Sequence, residues 1–520
     1  MTHTDHIDPT IMACILHRAV RRLRPVTLLL SSVILTACAV GPDYDAPPPV
    51  ATGDSWSQAD TVTSAPTDLA RWWSTLGDPV LERLIDSALA ANLDLRVAAA
   101  RIDEARALRD RVVGEQLPVA GASASVNRQR QSENGLLPVG SMPGLEATQT
   151  IYDAGFDAAW EADLFGAKQR ALEGASARLQ AAEADAQGVR MRIVAEVARA
   201  WFTAAGAGQE LQAQQAILQT LEHTLKLVRQ RQTLGDAPTS DVDAAYAQWA
   251  AAHAALPGIQ ARQRAAVLSL GVLLGAPPER ELALLNTAAT PLTLLALPVG
   301  ERADVLRRRP DVLAAERRLA ASTADIGVAT AELFPKLSIG VGGGFQALAT
   351  GDWFNSSSTR FSILPLISWR LFDGGRVRAE IRAREATGQQ AALAYEQAVL
   401  TALGEAERAL SDYHAGLDTL NRRQATLDAT RRSYGHAKAR YAAGDIALVE
   451  LLAAERVLHE AETANVHAHT TATVQLVALY KALGGGWDAP ATQPDMSTPI
   501  QGLGASILSR AANTPAAPRP

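Results

Sequence analysis

Two stretches of this chain repeat in the same order, and a duplicated sequence restricts the chain to folds that use one unit twice. Residues 94–118 align with 311–335 at an offset of 217: Arg101 falls on Arg318, Ile102 on Leu319, Glu115 on Glu332 and Leu117-Pro118 on Phe334-Pro335. Further along the offset is 209. There Trp160 falls on Trp369, Leu211 and Leu218 on Leu420 and Leu427, Gly235-Asp236 on Gly444-Asp445, and Asp241 on Glu450. The drop from 217 to 209 gives the first copy eight more residues between Pro118 and Trp160. Each copy reads as a helical segment, a strand pair, a very long helical segment, a turn and a helical segment.

Proline is absent from 166–237 and from 374–489. Leu211, Leu218, Leu221, Leu225 and Val228 follow spacings of 7, 3, 4 and 3, an a/d seam for neighbouring helices. One helix over 167–234 would be about 100 Å long. Glycines at 174, 188, 206 and 208 oppose its continuity, each by up to about 1 kcal/mol, and the alternative is a stack of shorter helices in a soluble bundle. The apolar fraction of 48% is largely alanine and aromatics are 5%, which suits extended helices better than a compact core. A net charge of -6 without a clustered basic surface argues against a nucleic-acid partner.

The strand pairs alternate. Leu337, Ile339, Val341 and Phe345 share one face, and Lys336, Ser338, Gly340, Gly342, Gly344 and Gln346 the other. Phe361, Ile363, Ile367, Trp369 and Leu371 alternate with Arg360, Ser362, Ser368 and Arg370; Tyr152, Ala154, Phe156, Ala158 and Trp160 do so more weakly, and 119–128 most weakly. Segments of about ten residues with this pattern fit a membrane barrel, or a soluble ribbon packed on helices. In lipid an open sheet edge leaves N–H and C=O groups unsatisfied, and known single-chain barrels begin at about eight strands. Four strands per chain would therefore close only by oligomerising. Three chains of four supply twelve, and a dimer or tetramer is also open.

The N-terminus reads as an export signal over residues 1–37. Arg18, Arg21, Arg22 and Arg24 precede a short apolar run at 26–37, too short to span a bilayer. Leu35-Thr36-Ala37-Cys38 resembles the bacterial lipobox, whose cysteine is acylated and becomes the first mature residue; the alternative is an ordinary signal with an incidental cysteine. Ala39 in place of Asp favours sorting to the outer membrane. Cys14 lies in the signal, so the mature chain holds Cys38 alone and no internal disulfide.

Several motifs together resemble the TolC-like outer-membrane efflux factors, in particular their lipidated NodT/OprM branch. They are Arg308-Arg309-Pro310-Asp311-Val312, Ala315-Glu316, Ala324-Asp325-Ile326-Gly327, Leu333-Phe334-Pro335-Lys336, the junctions beginning at Trp160 and Trp369, and the early Trp72-Trp73 with Leu76-Gly77-Asp78-Pro79. The resemblance covers roughly 38–486. It implies a mainly α protein with a membrane β-barrel, a homotrimer whose twelve-stranded barrel takes four strands from each chain. Below it would lie a long periplasmic α-helical barrel with a mixed equatorial domain. The implied partners are a periplasmic adaptor protein, an inner-membrane transporter of the RND, MFS or ABC type, and outer-membrane lipid through acylated Cys38. The implied function is passive export of drugs or other small molecules. Outer-membrane export for type I protein secretion is the alternative within transport, and a non-conducting envelope scaffold is the alternative outside it.

This reading divides the chain into a signal (1–37), a lipidated segment (38–66), helices (67–117), hairpin 1 (118–165) and long helices (166–283). A linker or equatorial part (284–309), a helix (310–334), hairpin 2 (335–373), long helices (374–486) and a tail (487–520) follow. The expected adaptor-docking tips are Arg231, Leu234, Gly235 and Asp236 in the first copy, with Arg440, Ala443, Gly444 and Asp445 in the second. The expected periplasmic gate is Asp241, Asp243, Tyr441 and Glu450. Asp241 and Tyr441 match acidic and tyrosine latch residues of the family, although Ile446 stands where some members carry a partner arginine. Converging carboxylates would favour cations in the passage; helix capping is the alternative for Asp241. No catalytic, metal or cofactor site is expected. His467 and His469 are two apart and do not share a helix face, Arg307-Arg308-Arg309 reads as a solvated loop, and the glycines at 340–344 lack a P-loop lysine.

Overall fold

A computed structural model describes residues 39–46, 56–57, 69–132, 146–287, 290, 292–294 and 299–488. The expected signal, Cys38 and residues 489–520 lie outside the described residues. In chain order the elements are α1 (Pro79–Ala91), α2 (Leu93–Gly114), β1 (Val119–Arg130), β2 (Thr148–Ala162), α3 (Ala167–Thr233), α4 (Thr239–Leu273), α5 (Arg302–Arg308), α6 (Pro310–Ala331), β3 (Lys336–Ala347), β4 (Thr359–Ser368), α7 (Arg376–Ala443) and α8 (Leu448–Ala482). Short 3-10 segments lie at Trp72–Leu76 and Pro278–Asn286. The structure is mostly helical with one four-stranded sheet.

The two longest helices have 67 and 68 residues, each about 100 Å at 1.5 Å per residue. Lengths match between the halves: α2 and α6 have 22 residues, β1 and β3 have 12, and α4 and α8 have 35. The glycines do not break α3. Gly206 lies against Thr470, where a Cβ would collide with the threonine side chain, so here glycine permits two helices to approach. The buried seam of α3 runs through Gln214, Ile217, Leu221, Leu225 and Val228, with Leu211 and Leu218 only half-buried. Gln214 turns inward because its amide donates to the Ala252 carbonyl of α4 at 2.8 Å.

The sheet order is β1-β2-β3-β4, all antiparallel, so both sequence-expected hairpins form and β2 pairs with β3 between them. β1 and β4 are left as the two edges. β4 stops at Ser368, short of the Trp369 and Leu371 that its alternation had included, for a physical reason. Its one partner among the described residues, β3, begins at Lys336 directly after Pro335, and Lys336 pairs with Ser368. β2 runs three residues past Ala159, the last of its residues paired with β1 (to Val119), because β3 pairs it as far as Ala162.

The main core lies at the waist of the helices. Trp72 and Trp73 are 1% exposed and pack with Leu81, Leu84, Trp201, Leu270, Leu410, Tyr413 and Leu479 from both halves. Trp72 stacks on Tyr480, ring centres 4.6 Å apart. Asp78 is fully buried here. One carboxylate oxygen caps α1 by accepting from Val80 (2.9 Å) and Leu81 (3.1 Å), and the other accepts from the Trp201 indole at 2.9 Å. The Arg307–Arg309 stretch is not the solvated loop its sequence suggested. Arg307 and Arg308 end α5, and Arg309 is 4% exposed between Asp311 (2.6 Å) and Glu405 (2.7 Å). A buried guanidinium requires such partners, and one of them lies 96 residues away.

Asp78→Ala removes the cap of α1 and leaves the Trp201 N–H unpartnered in the core. It should lower stability by about 3 kcal/mol, seen as a lower thermal midpoint, and Asp78→Asn should recover only part of the loss, because its single amide oxygen can accept from the helix cap or from the indole but not from both.

Candidate functional site

The helices turn at their far ends through a pair of matching caps. Asp236 N–H donates to the Arg231 carbonyl at 2.9 Å and Gly235 N–H to Gln232 at 3.0 Å. Asp445 N–H donates to Arg440 at 2.9 Å and Gly444 N–H to Tyr441 at 3.0 Å. These are Schellman motifs, which need a left-handed residue, and Gly235 (φ 82°) and Gly444 (φ 81°) supply it. The two turns lie side by side. Arg231 Nη1 donates to the Tyr441 hydroxyl at 2.6 Å, across 210 residues of sequence. Below them Leu225, Val228, Ala245, Leu448, Leu451 and Leu452 form a separate small core.

The sequence-expected residues distribute around this end as follows. Leu234 is 76% exposed, and Gly235, Asp236, Arg440, Ala443, Gly444 and Asp445 are also exposed. Asp241 lies half-buried in the first turn of α4 and Glu450 exposed in the first turn of α8. Neither helix has a side-chain N-cap hydrogen bond, so Asp241 does not cap α4. Asp243 is exposed. Ile446 is half-buried and makes no polar link, and Tyr441 pairs with Arg231 instead. Nothing in the local sequence marked that pairing. Also missed was a stripe on α4, where Tyr246, Trp249 and His253 stack with ring centres 5.8 and 5.3 Å apart; the spacings of three and four were its signal.

Behind the tips, Glu455 is 1% exposed. Burial pushes its carboxyl above the usual glutamate range, and the nearby His459 charge, the Tyr434 hydroxyl at 3.5 Å and the Lys438 charge bring it only partly back. A proton is therefore held more tightly in the fold than in the unfolded chain. Glu455 costs stability above its folded pKa, and that cost disappears as pH falls to the ordinary value of 4.5. Glu455→Gln should accordingly raise the melting temperature most at pH 8, with the gain over wild type shrinking as pH approaches 4.5.

The opposite end of the helices carries the sheet and the first described residues. Val40 N–H donates to the Phe165 carbonyl at 3.1 Å, Ala39 abuts Gly166, and Arg170 binds both the Val40 carbonyl and Asp43. The residue after Cys38 is thus fixed where β2 passes into α3. Two tryptophans mark the same level: Trp160 donates to the Gln116 carbonyl at 2.9 Å and Trp369 to Leu333 at 3.0 Å. On the sheet, Phe156, Phe361, Ile363 and Ile367 are more than half exposed on one face. Among the described residues no helix is long and apolar enough to cross a membrane, and no cluster of three or more His, Cys, Asp or Glu side chains could hold a metal. His467 lies 3.3 Å from Glu210, whereas His469 faces the Leu292 carbonyl at 3.4 Å.

Comparison with known proteins bears on this geometry. Residues 84–276 and 302–485 match the family model described as outer membrane efflux protein. The chain is 34% identical over 470 residues to the outer membrane protein OprJ of Pseudomonas aeruginosa, covering 89% of this chain and 96% of OprJ. It is 30% identical over 481 residues to the pyoverdine export outer membrane protein OpmQ of the same organism, covering 90% and 98% respectively. The solved structure of the outer-membrane channel OprN is similar with a TM-score of 0.79 at 38% identity, over 86% of this chain and 100% of that one.

Proposed function

The chain belongs to the outer membrane efflux protein family, and from that premise we propose that it is the exit duct of a tripartite efflux pump, passively releasing drugs or other small molecules. It is an outer-membrane protein, and its family and solved neighbours are channels rather than enzymes. In this reading three chains pool their sheets into a twelve-stranded barrel, and the helices continue it through the periplasm as an α-helical duct with the Trp72 core as its equatorial belt. The two halves are copies of one unit. An adaptor protein docks at the tips and an inner-membrane transporter loads the duct.

The observation that carries this reading is the four-stranded sheet with a free edge at each end and an exposed apolar face. Lipid accepts such a face but not such edges. The anchor has matching support: Ala39 sits at the strand-to-helix junction, the level at which an acyl chain on Cys38 would enter the inner leaflet. Acylation contributes about 0.8 kcal/mol per buried CH₂, and the sheet the rest of the attachment. At the far end Asp241, Asp243 and Glu450, repeated in three chains, form an acidic constriction that favours cations, and Tyr441 with Arg231 holds the two turns together as the gate.

In planar bilayers the protein should give discrete single-channel openings; a scaffold would give none. Asp241→Ala combined with Glu450→Ala should alter conductance and weaken the preference for cations, and a double variant that conducts and selects like the wild type would remove the acidic constriction. Cys38→Ser should no longer incorporate labelled palmitate, and label in that variant would contradict the lipobox.

A further inference from the structure

One face of the sheet carries a polar device that the tips do not account for. Asp153 on β2 accepts from Arg360 Nε at 2.9 Å, from Arg360 Nη2 at 2.6 Å and from the Gln346 amide at 3.1 Å. Arg360 is on β4 and Asp153 on β2, so the side chain crosses β3, a distance of two strand spacings or about 9.5 Å. It crosses where side chains are missing. Gly344 is the register partner of both Arg360 and Gly155. A Cβ on Gly344 would lie 2.4 Å from the Ala154 carbonyl oxygen, and one on Gly155 would lie 2.6 Å from that of Gly343 and 3.4 Å from Arg360 Nη2.

These contacts also tell the two faces apart. The backbones of β2 and β3 crowd together on the side of Gly155, Gly344, Asp153 and Arg360, as on the inside of a curving sheet. Phe156, Phe361, Ile363 and Ile367 have the opposite parity and so occupy the outer side. The Arg360–Asp153 pair therefore faces the lumen of any barrel this sheet helps to close. It lies near the end of the ladder farthest from the helices, since Arg360 is the second residue of β4 and Gln346 the next-to-last of β3.

We propose that Arg360 is an anion-contacting residue at the outer mouth of the duct, recognising carboxylate groups on departing solutes; this rests on the trimeric-duct reading above. The carboxylate of Asp153 is 18% exposed and takes three hydrogen bonds, whereas the Arg360 side chain is 41% exposed. Among the described residues its Nη1 makes no hydrogen bond, so the group offered to the lumen is the guanidinium. An exposed pair of this kind adds at most about 1 kcal/mol to stability. A planar guanidinium held flat by a carboxylate presents its remaining N–H groups to a second carboxylate in fixed geometry. Three copies place three such donors around the exit, opposite in sign to the acidic tips.

The experiment measures permeability ratios of the full-length protein in planar bilayers, with potassium chloride and sodium benzoate gradients. Arg360→Gln removes the charge, and its shorter side chain gives up the bidentate reach across β3; it should lower the benzoate-to-potassium ratio by about twofold or more. Asp153→Asn withdraws the counter-charge and should raise that ratio by a similar factor, so the two changes have opposite signs. Arg360→Lys should stay close to wild type for chloride but lose part of the benzoate preference. Wild-type and variant channels that conduct alike, with unchanged ratios or shifts in the same direction, would overturn the assignment to Arg360. A wild-type protein without any conductance would instead overturn the duct itself.

Discussion

An unpaired strand edge has no water to turn to inside a bilayer, and that constraint shapes the rest of this molecule. The sheet has four strands and two edges, and among the described residues no strand pairs with the outward sides of β1 and β4. Each group left unsatisfied in hydrocarbon costs several kcal/mol. In the proposed duct the apolar face of this sheet, with Phe156, Phe361, Ile363 and Ile367 exposed, is what meets the lipid. Pooling sheets from several chains both satisfies the edges and opens a lumen, so a structural requirement and a transport function have one solution.

The helices answer a second requirement, which is reach. Two continuous helices of about 100 Å connect the sheet to turns that lie together at the far end. They are steadied at intervals rather than all along. The waist core ties both halves and the N-terminal residues through Trp72, Asp78, Trp201 and Tyr480. The small core beneath the tips is separate from it. Exposed turns on a small local core, joined across the chain by Arg231 and Tyr441, can shift without unpacking the waist, which suits a gate opened by a docking partner.

What the residues reveal on their own follows the range of the interactions. Long helices were legible in α3 and α7 because proline is absent over their length, and the turns because Gly235 and Gly444 each precede an aspartate. The strands β3 and β4 were legible because large apolar residues alternate with polar ones. β1 was nearly illegible, since alanine and valine alternate with glycine and serine and neither face is strongly marked. The pairing of β2 with β3 has no local signal at all. Long-range polar contacts were hidden for the same reason: Arg309 finds Glu405, Trp201 finds Asp78 and Arg231 finds Tyr441 at separations of 96, 123 and 210 residues. The buried state of Arg309 follows from packing, whereas its sequence neighbours Arg307 and Arg308 suggested solvent.

The most direct test of the account is the mass of the intact protein extracted from membranes in mild detergent, read by native mass spectrometry. The proposed duct predicts a complex of three chains, with the β1–β2 and β3–β4 turns reachable by a protease added outside intact cells. A single chain in detergent, with both turns cut only when protease is admitted to the periplasm, would contradict it.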